Sequence, residues 1–137
     1  MRSPKESRYS QHLADGMGFY RAGADSDAEG QFLAALHDAH HLHITDERLG
    51  LTLYQLAEVA QAKGHFHDAE KYFQEALVSE EHGLGPDHPY IAVVLRAYAA
   101  LLHRQGRFNE ASCLTARAED IWQSNPLGQV SPLVAAI

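Results

Sequence analysis

Side chains return in register three times along this chain of 137 residues, and that periodicity limits the fold more than any other feature. The series Leu53, Ala57, Ala60, Gly64, Phe66, Ala69, Phe73, Ala76, Leu77 is echoed 42 residues later by Leu95, Ala99, Leu102, Gly106, Phe108, Ala111 and Ala118. It is echoed 41 residues earlier by Gly16, Phe19, Gly23, Ala28, Phe32, Ala35 and Leu36. A fixed period of this size marks a unit that cannot bury its apolar face alone and stacks on copies of itself. The copies span about residues 9–49, 50–91 and 92–124, so the repeat region is 9–124. A short extension (1–8) precedes them, and an apolar tail (125–137) follows that would serve as a cap on the third hairpin or as the stub of a further repeat.

Each copy reads as a helical hairpin. Leu53, Leu56, Ala57 and Ala60 share one helix face, and Ala69, Tyr72, Phe73, Ala76 and Leu77 form a second stripe. Gly64 between them is placed to end the first helix, because glycine adopts left-handed dihedrals without a Cβ clash. The second helix should start near His67-Asp68, and in the third copy near Asn109-Glu110 with Asn109 as N-cap. Small residues at 16, 57 and 99, facing those at 28, 69 and 111, would let paired helices approach closely. Phe32 and Phe73 would then fill the space between adjacent hairpins. Alanine is abundant and runs of Val, Ile and Thr are scarce, which favours helix over strand. The expected fold is all-α: an α–α superhelix (solenoid) of three helix-turn-helix repeats, about six helices.

The end copies depart from the middle one. Asp25 stands opposite Phe66 and Phe108, and His12 and Asp15 occupy places held elsewhere by leucine or tyrosine. The third copy has Thr115 for Phe73 and Glu119 for Leu77. Terminal repeats are commonly atypical, since one of their faces meets no neighbour.

Composition removes several classes of function. The net charge is −7 with no run of Lys or Arg, which argues against a nucleic-acid binder. No apolar stretch has bilayer length, and the polar start has no apolar h-region, so a soluble cytoplasmic protein is expected. The lone Cys113 forms no internal disulfide and is expected as a buried, inert thiol. No GxSxG, P-loop or GxGxxG pattern is present, so neither an enzyme nor a cofactor is expected.

The order of small, aromatic and alanine positions resembles the tetratricopeptide repeat, a helix-turn-helix unit of about 34 residues. Here the period is longer, and the excess lies in Glu81-His-Gly-Leu-Gly-Pro-Asp-His-Pro89. A long repeat with this LGxDHPxxA connection is similar to the kinesin light chain-like subgroup. The resemblance implies a structural role for the loop, with Pro89 starting a helix. It further implies a non-catalytic scaffold that holds a peptide or partner helix in a concave groove lined by the first helix of each pair. Helical phase puts Leu13, Met17, Tyr20 and Arg21 there from the first copy, Tyr54, Gln55, Glu58 and Gln61 from the second, and Arg96, Ala100, His103 and Arg104 from the third. Arg96 and Arg104 suit a partner with an acidic or carboxyl-terminated segment, and the first copy suits an apolar side chain. The Lys/Asn/Arg clamp of repeats that grip acidic chaperone tails is missing, since Leu13, Met17, Gln55, Val93 and Ala97 stand at its places.

Two other readings remain. The apolar tail and incomplete third copy would serve self-association. The histidines of His37-Asp-Ala-His40-His41-Leu-His43 offer a metal- or pH-responsive element, with His37, His40 and His41 as weak metal candidates. No HExxH pattern accompanies them, and solvated histidines also favour a helix C-terminus through its dipole.

Overall fold

The computed structural model describes residues 3–44 and 47–125. Among these are six helices and no strand: α1 (Pro4–Arg21), α2 (Asp25–His41), α3 (Glu47–Ala62), α4 (Phe66–Leu84), α5 (Pro89–Arg104) and α6 (Phe108–Ser124). The all-α hairpin fold expected from the repeat is therefore observed. The apolar stretch beyond Asn125 lies outside the described residues. Helix α1 starts at Pro4, inside the expected extension, because Ser3 caps it and accepts a bond from the Glu6 amide at 3.1 Å.

One backbone closure ends the first helix of all three hairpins. The residue after the turn glycine donates to the carbonyl five positions back: Ala24 to Phe19 (2.9 Å), His65 to Ala60 (2.8 Å) and Arg107 to Leu102 (2.9 Å). This Schellman closure requires a left-handed residue before the donor, and Gly64 supplies it at φ 81°. Helix α2 stops the same way without glycine. His43 takes φ 55°, and Ile44 donates to Ala39 at 2.8 Å with its side chain buried. One histidine of the cluster thus acts as a helix stop, a conformation imidazole-bearing residues tolerate better than most.

The chain divides into two compact units, Met1–Ser79 and Glu80–Ile137. In the first, α1 and α2 form a hairpin on which α3 packs. Ala28, Phe32, Leu56 and Val59 form the core, flanked by Leu13, Met17, Tyr20, Leu36 and Tyr72. Phe32 therefore spans from its own hairpin to the helix that follows, as the repeat pattern implied. Gly16 lies directly against the Phe32 ring. Ala57, Ala69 and Phe73 are also buried. A second cluster joins Tyr9, Ala35, Ala39 and Ile44. There the Tyr9 hydroxyl donates to the Arg48 carbonyl at 2.9 Å and lies 2.8 Å from Thr52 Oγ1, tying α1 to α3.

The second unit is built on α5, which is buried on most sides, with Ile91, Val94, Leu95, Leu101 and Leu102 nearly inaccessible. Its start confirms the structural role of the long connection. Pro89 is in the first turn, and Nδ1 of the N-cap His88 accepts from the Tyr90 amide at 3.1 Å. Arg117 of α6 holds the loop from outside, pairing with Glu81 at 3.0 Å and donating to the Pro86 carbonyl at 3.3 Å.

Two expectations are corrected. Asn109 is not an N-cap: α6 begins at Phe108 after Arg107, so Asn109 sits inside its first turn. The Schellman closure uses the chain through Arg107, and the helix restarts at once. Cys113 is exposed rather than buried. The inner face of α6 carries Ala111, Ala118 and Ile121, and two residues past Ala111 is about 200° around the helix.

Candidate partner-binding surface

The twelve expected surface residues fall into two kinds of environment. On α1, Leu13, Met17 and Tyr20 are half-buried against the Phe32 cluster, while Arg21 is exposed. On α3, Tyr54 is only 7% exposed, with its ring edge-on to Phe73 at 6.1 Å between centroids. Gln55, Glu58 and Gln61 are half-buried. On α5, Arg96, Ala100, His103 and Arg104 are all exposed. Leu13, Met17, Tyr20 and Tyr54 therefore devote much of their surface to the core of the first unit.

Glu58 and Tyr20 are the perturbed groups on this surface. The Glu58 carboxylate accepts hydrogen bonds from the Tyr54 and Tyr20 hydroxyls, and no ion pair to it is found among the described residues. Burial raises its pKa, and the two phenols pull it part of the way back. Tyr20 is raised in turn, first by burial and then by the negative charges of Glu58 and Asp25. The folded chain thus retains a proton on Glu58 at pH values where the unfolded chain has released it. Stability falls as pH rises through the window between the ordinary carboxylate pKa and the raised one. Glu58→Gln keeps an acceptor for the phenols and removes this fall. Thermal melts from about pH 4 to about pH 7 are expected to show wild type losing Tm relative to the variant as pH rises. Parallel curves would refute it.

In the second unit, α5 and α6 flank an open groove of about 660 Å³. It brings together three expected residues, Arg96, Ala100 and His103, with Ala99 and the α6 residues Phe108, Ala111, Ser112, Thr115 and Ala116. The α6 wall lies outside the expected set, which drew only on the first helix of each pair. A signal was present in the departure of Thr115 from the Phe32/Phe73 pattern. Phe108 is 56% exposed, and its ring stands edge-on to His103 with centroids 4.8 Å apart. The groove offers a guanidinium, an imidazole, an aromatic edge and small apolar walls.

The weak metal candidates His37, His40 and His41 are exposed on α2. Among the described residues, no three His, Cys, Asp or Glu side chains are grouped to hold a metal ion. A different histidine is engaged: His12 Nδ1 lies 2.9 Å from Gln31 Oε1, and its Nε2 is 3.6 Å from Asp38. No helix among the described residues is long and apolar enough to cross a membrane.

Helical hairpins repeated with one turn closure, each burying small residues against a neighbour, define the class of helical-repeat interaction scaffolds. The family model for the tetratricopeptide repeat matches residues 48–124, and the chain belongs to that family. Among solved structures, BtubC (BKLC) from P. vanneervenii aligns with a TM-score of 0.89 at 20% identity, covering 96% of this chain and 52% of that one. The chain therefore spans about half the length of BtubC. The TPR domain of Arabidopsis FLU aligns at 0.80 with 19% identity, covering 89% of this chain and all of that one. The type III secretion translocator chaperone SycD of Yersinia enterocolitica aligns at 0.67 with 21% identity, covering 99% and 89%. At these identities the likeness is one of fold. No curated protein sequence matches the chain.

Proposed function

We propose that this chain is a non-catalytic, cytoplasmic protein-binding scaffold of the kinesin light chain-like long-repeat type. It holds a peptide or partner helix on surfaces presented by α1, α3 and α5, with an acidic segment of the partner at the third repeat. Membership of a family of interaction scaffolds supports the coarse reading. The loop capped by His88 and Pro89, with the likeness to BtubC (BKLC), supports the subgroup. The observation that carries the partner's charge is the exposed Arg96 in the α5–α6 groove, on a chain whose net charge is −7. Exposed cations on an acidic protein are suited to selecting an acidic partner and speeding its encounter.

A random-peptide display selection on the immobilised full chain, run beside Arg96→Glu/Arg104→Glu, tests this reading. The wild type is expected to enrich Asp- and Glu-rich peptides, and the double variant to bind them about tenfold more weakly. Equal pools from both proteins would end the acidic-partner reading. Failure to enrich any peptide would end the scaffold reading itself.

A further inference from the structure

Two of the three hairpins present comparable faces, that of α1–α2 covered and that of α5–α6 open. In the first unit, the α1–α2 face carrying Leu13, Met17, Tyr20 and Phe32 is covered by α3, whose Leu56 and Val59 complete the cluster. Helix α3 also brings Thr52 to the Tyr9 hydroxyl and Glu58 to the Tyr20 hydroxyl, so it runs in the same direction as α1. In the third copy, 83 residues further on, the equivalents of those four face residues are Arg96, Ala100, His103 and Thr115. All four line the open α5–α6 groove.

We propose that the α5–α6 face is a seat for one acidic amphipathic helix of a partner protein, docked in the register that α3 adopts on α1–α2. This deepens the scaffold reading and rests on it, but places the seat across both helices of the hairpin rather than along the first helices alone. The chemistry of the occupant follows from the four replacements. Where Glu58 of α3 meets the Tyr20 hydroxyl, a partner carboxylate meets the imidazole of His103. Where Leu13 packs on apolar side chains, Arg96, about two turns before His103 on α5, calls for a second acid nearer the N-terminus of the partner helix on the same face. Phe32 to Thr115 and Met17 to Ala100 both remove volume from the floor, so the partner supplies a larger apolar side chain there than the Leu56 and Val59 of α3. The exposed ring of Phe108, edge-on to His103, adds an apolar wall beside that imidazole. An acidic helix is repelled by the chain as a whole and attracted at this face, which gives the seat its selectivity and makes binding weaken with salt.

The test uses the full chain with ¹³C-labelled alanine methyls and a synthetic peptide of the α3 sequence Glu47–Ala62 carrying Gln55→Glu and, to fill the deeper floor, Val59→Phe. A control peptide shares Val59→Phe, keeps Gln55 and carries Glu58→Gln. The expected result is movement of the Ala100, Ala111 and Ala116 methyls, with affinity at least about tenfold lower for the control peptide. Thr115→Phe refills the floor with the ring that the first two copies carry, and is expected to abolish the shifts. Because Thr115 is exposed, this variant should keep wild-type helicity and Tm, which far-UV circular dichroism checks. Wild-type binding by folded Thr115→Phe, or no shifts at all, would overturn the seat. Shifts confined to first-unit alanines such as Ala14 and Ala62 would overturn the seat and leave the scaffold reading standing. Movement of the three methyls on dilution of the free chain would make a second copy the occupant. Movement on truncation after Asn125 would make it the chain's own tail. Either result overturns the partner helix.

Discussion

Phe32→Ala is expected to destabilise the protein by about 3–5 kcal/mol, the range for deleting a buried aromatic ring whose site cannot collapse. The ring is fully buried among Ala28, Leu56 and Val59, with Leu13, Met17 and Tyr20 around it. Across from it stands Gly16, which has no side chain to swing into the void. The neighbours that remain are anchored on three different helices, so closing the cavity would mean moving α1, α2 and α3 together. Phe108→Ala removes the same side chain from a position that is more than half exposed, and should change stability by no more than about 0.5 kcal/mol. Urea unfolding followed by far-UV circular dichroism compares the two. Equal costs at both positions would show that Phe32 does not hold the first unit together.

Gly16→Ala should be destabilising by about 1–3 kcal/mol, although alanine is the better helix former. A Cβ at this position would lie 2.6, 2.7 and 3.1 Å from three atoms of the Phe32 ring. The helix propensity gained is about 1 kcal/mol, and the collision with a ring that has nowhere to go exceeds it. Gly18 of the same helix is the control, because an added Cβ there meets nothing within 4 Å. Gly18→Ala is expected to stabilise by about 0.5–1 kcal/mol. Opposite signs for two glycine-to-alanine changes two residues apart are a sharp test, read from the shift in urea midpoint. The cost at Gly16 should also shrink in a Phe32→Leu background, since contacting residues couple where distant ones add. Two changes of the same sign would mean that α1 and α2 approach less closely than the ring contact implies.

Much of this architecture was legible in the chain's own periodicity. The turn glycines, the buried alanines and the two phenylalanines of the first two copies lie at fixed offsets, because each place in a hairpin imposes the same steric demand wherever it recurs. The helix start at Pro89 was equally readable, since proline geometry acts over a few neighbouring residues, whereas the His88 cap came only with the structure. Local chemistry misled where tertiary demand overrode it. Asn109 has the right side chain for an N-cap, yet the turn closure spends that stretch of backbone and the helix starts one residue earlier. Cys113 has the usual character of a core residue, but its helical phase places it outside.

The surface was legible only in part. Helical phase put Arg96, Ala100 and His103 on one face, and all three line the α5–α6 groove, because side chains three and four apart share a face. It did not reveal that Leu13, Met17 and Tyr20 serve the core, nor that Glu58 would be clasped by phenols from two helices. Those facts depend on which helix covers which face, and that is set by non-local packing. The repeated pattern of small and aromatic residues by itself determined helices, hairpins and their order, because those follow from local propensity and spacing. Only the tertiary structure decided that one hairpin face is filled by α3 and another left open, because burial is a property of neighbours in space that no offset along the chain records.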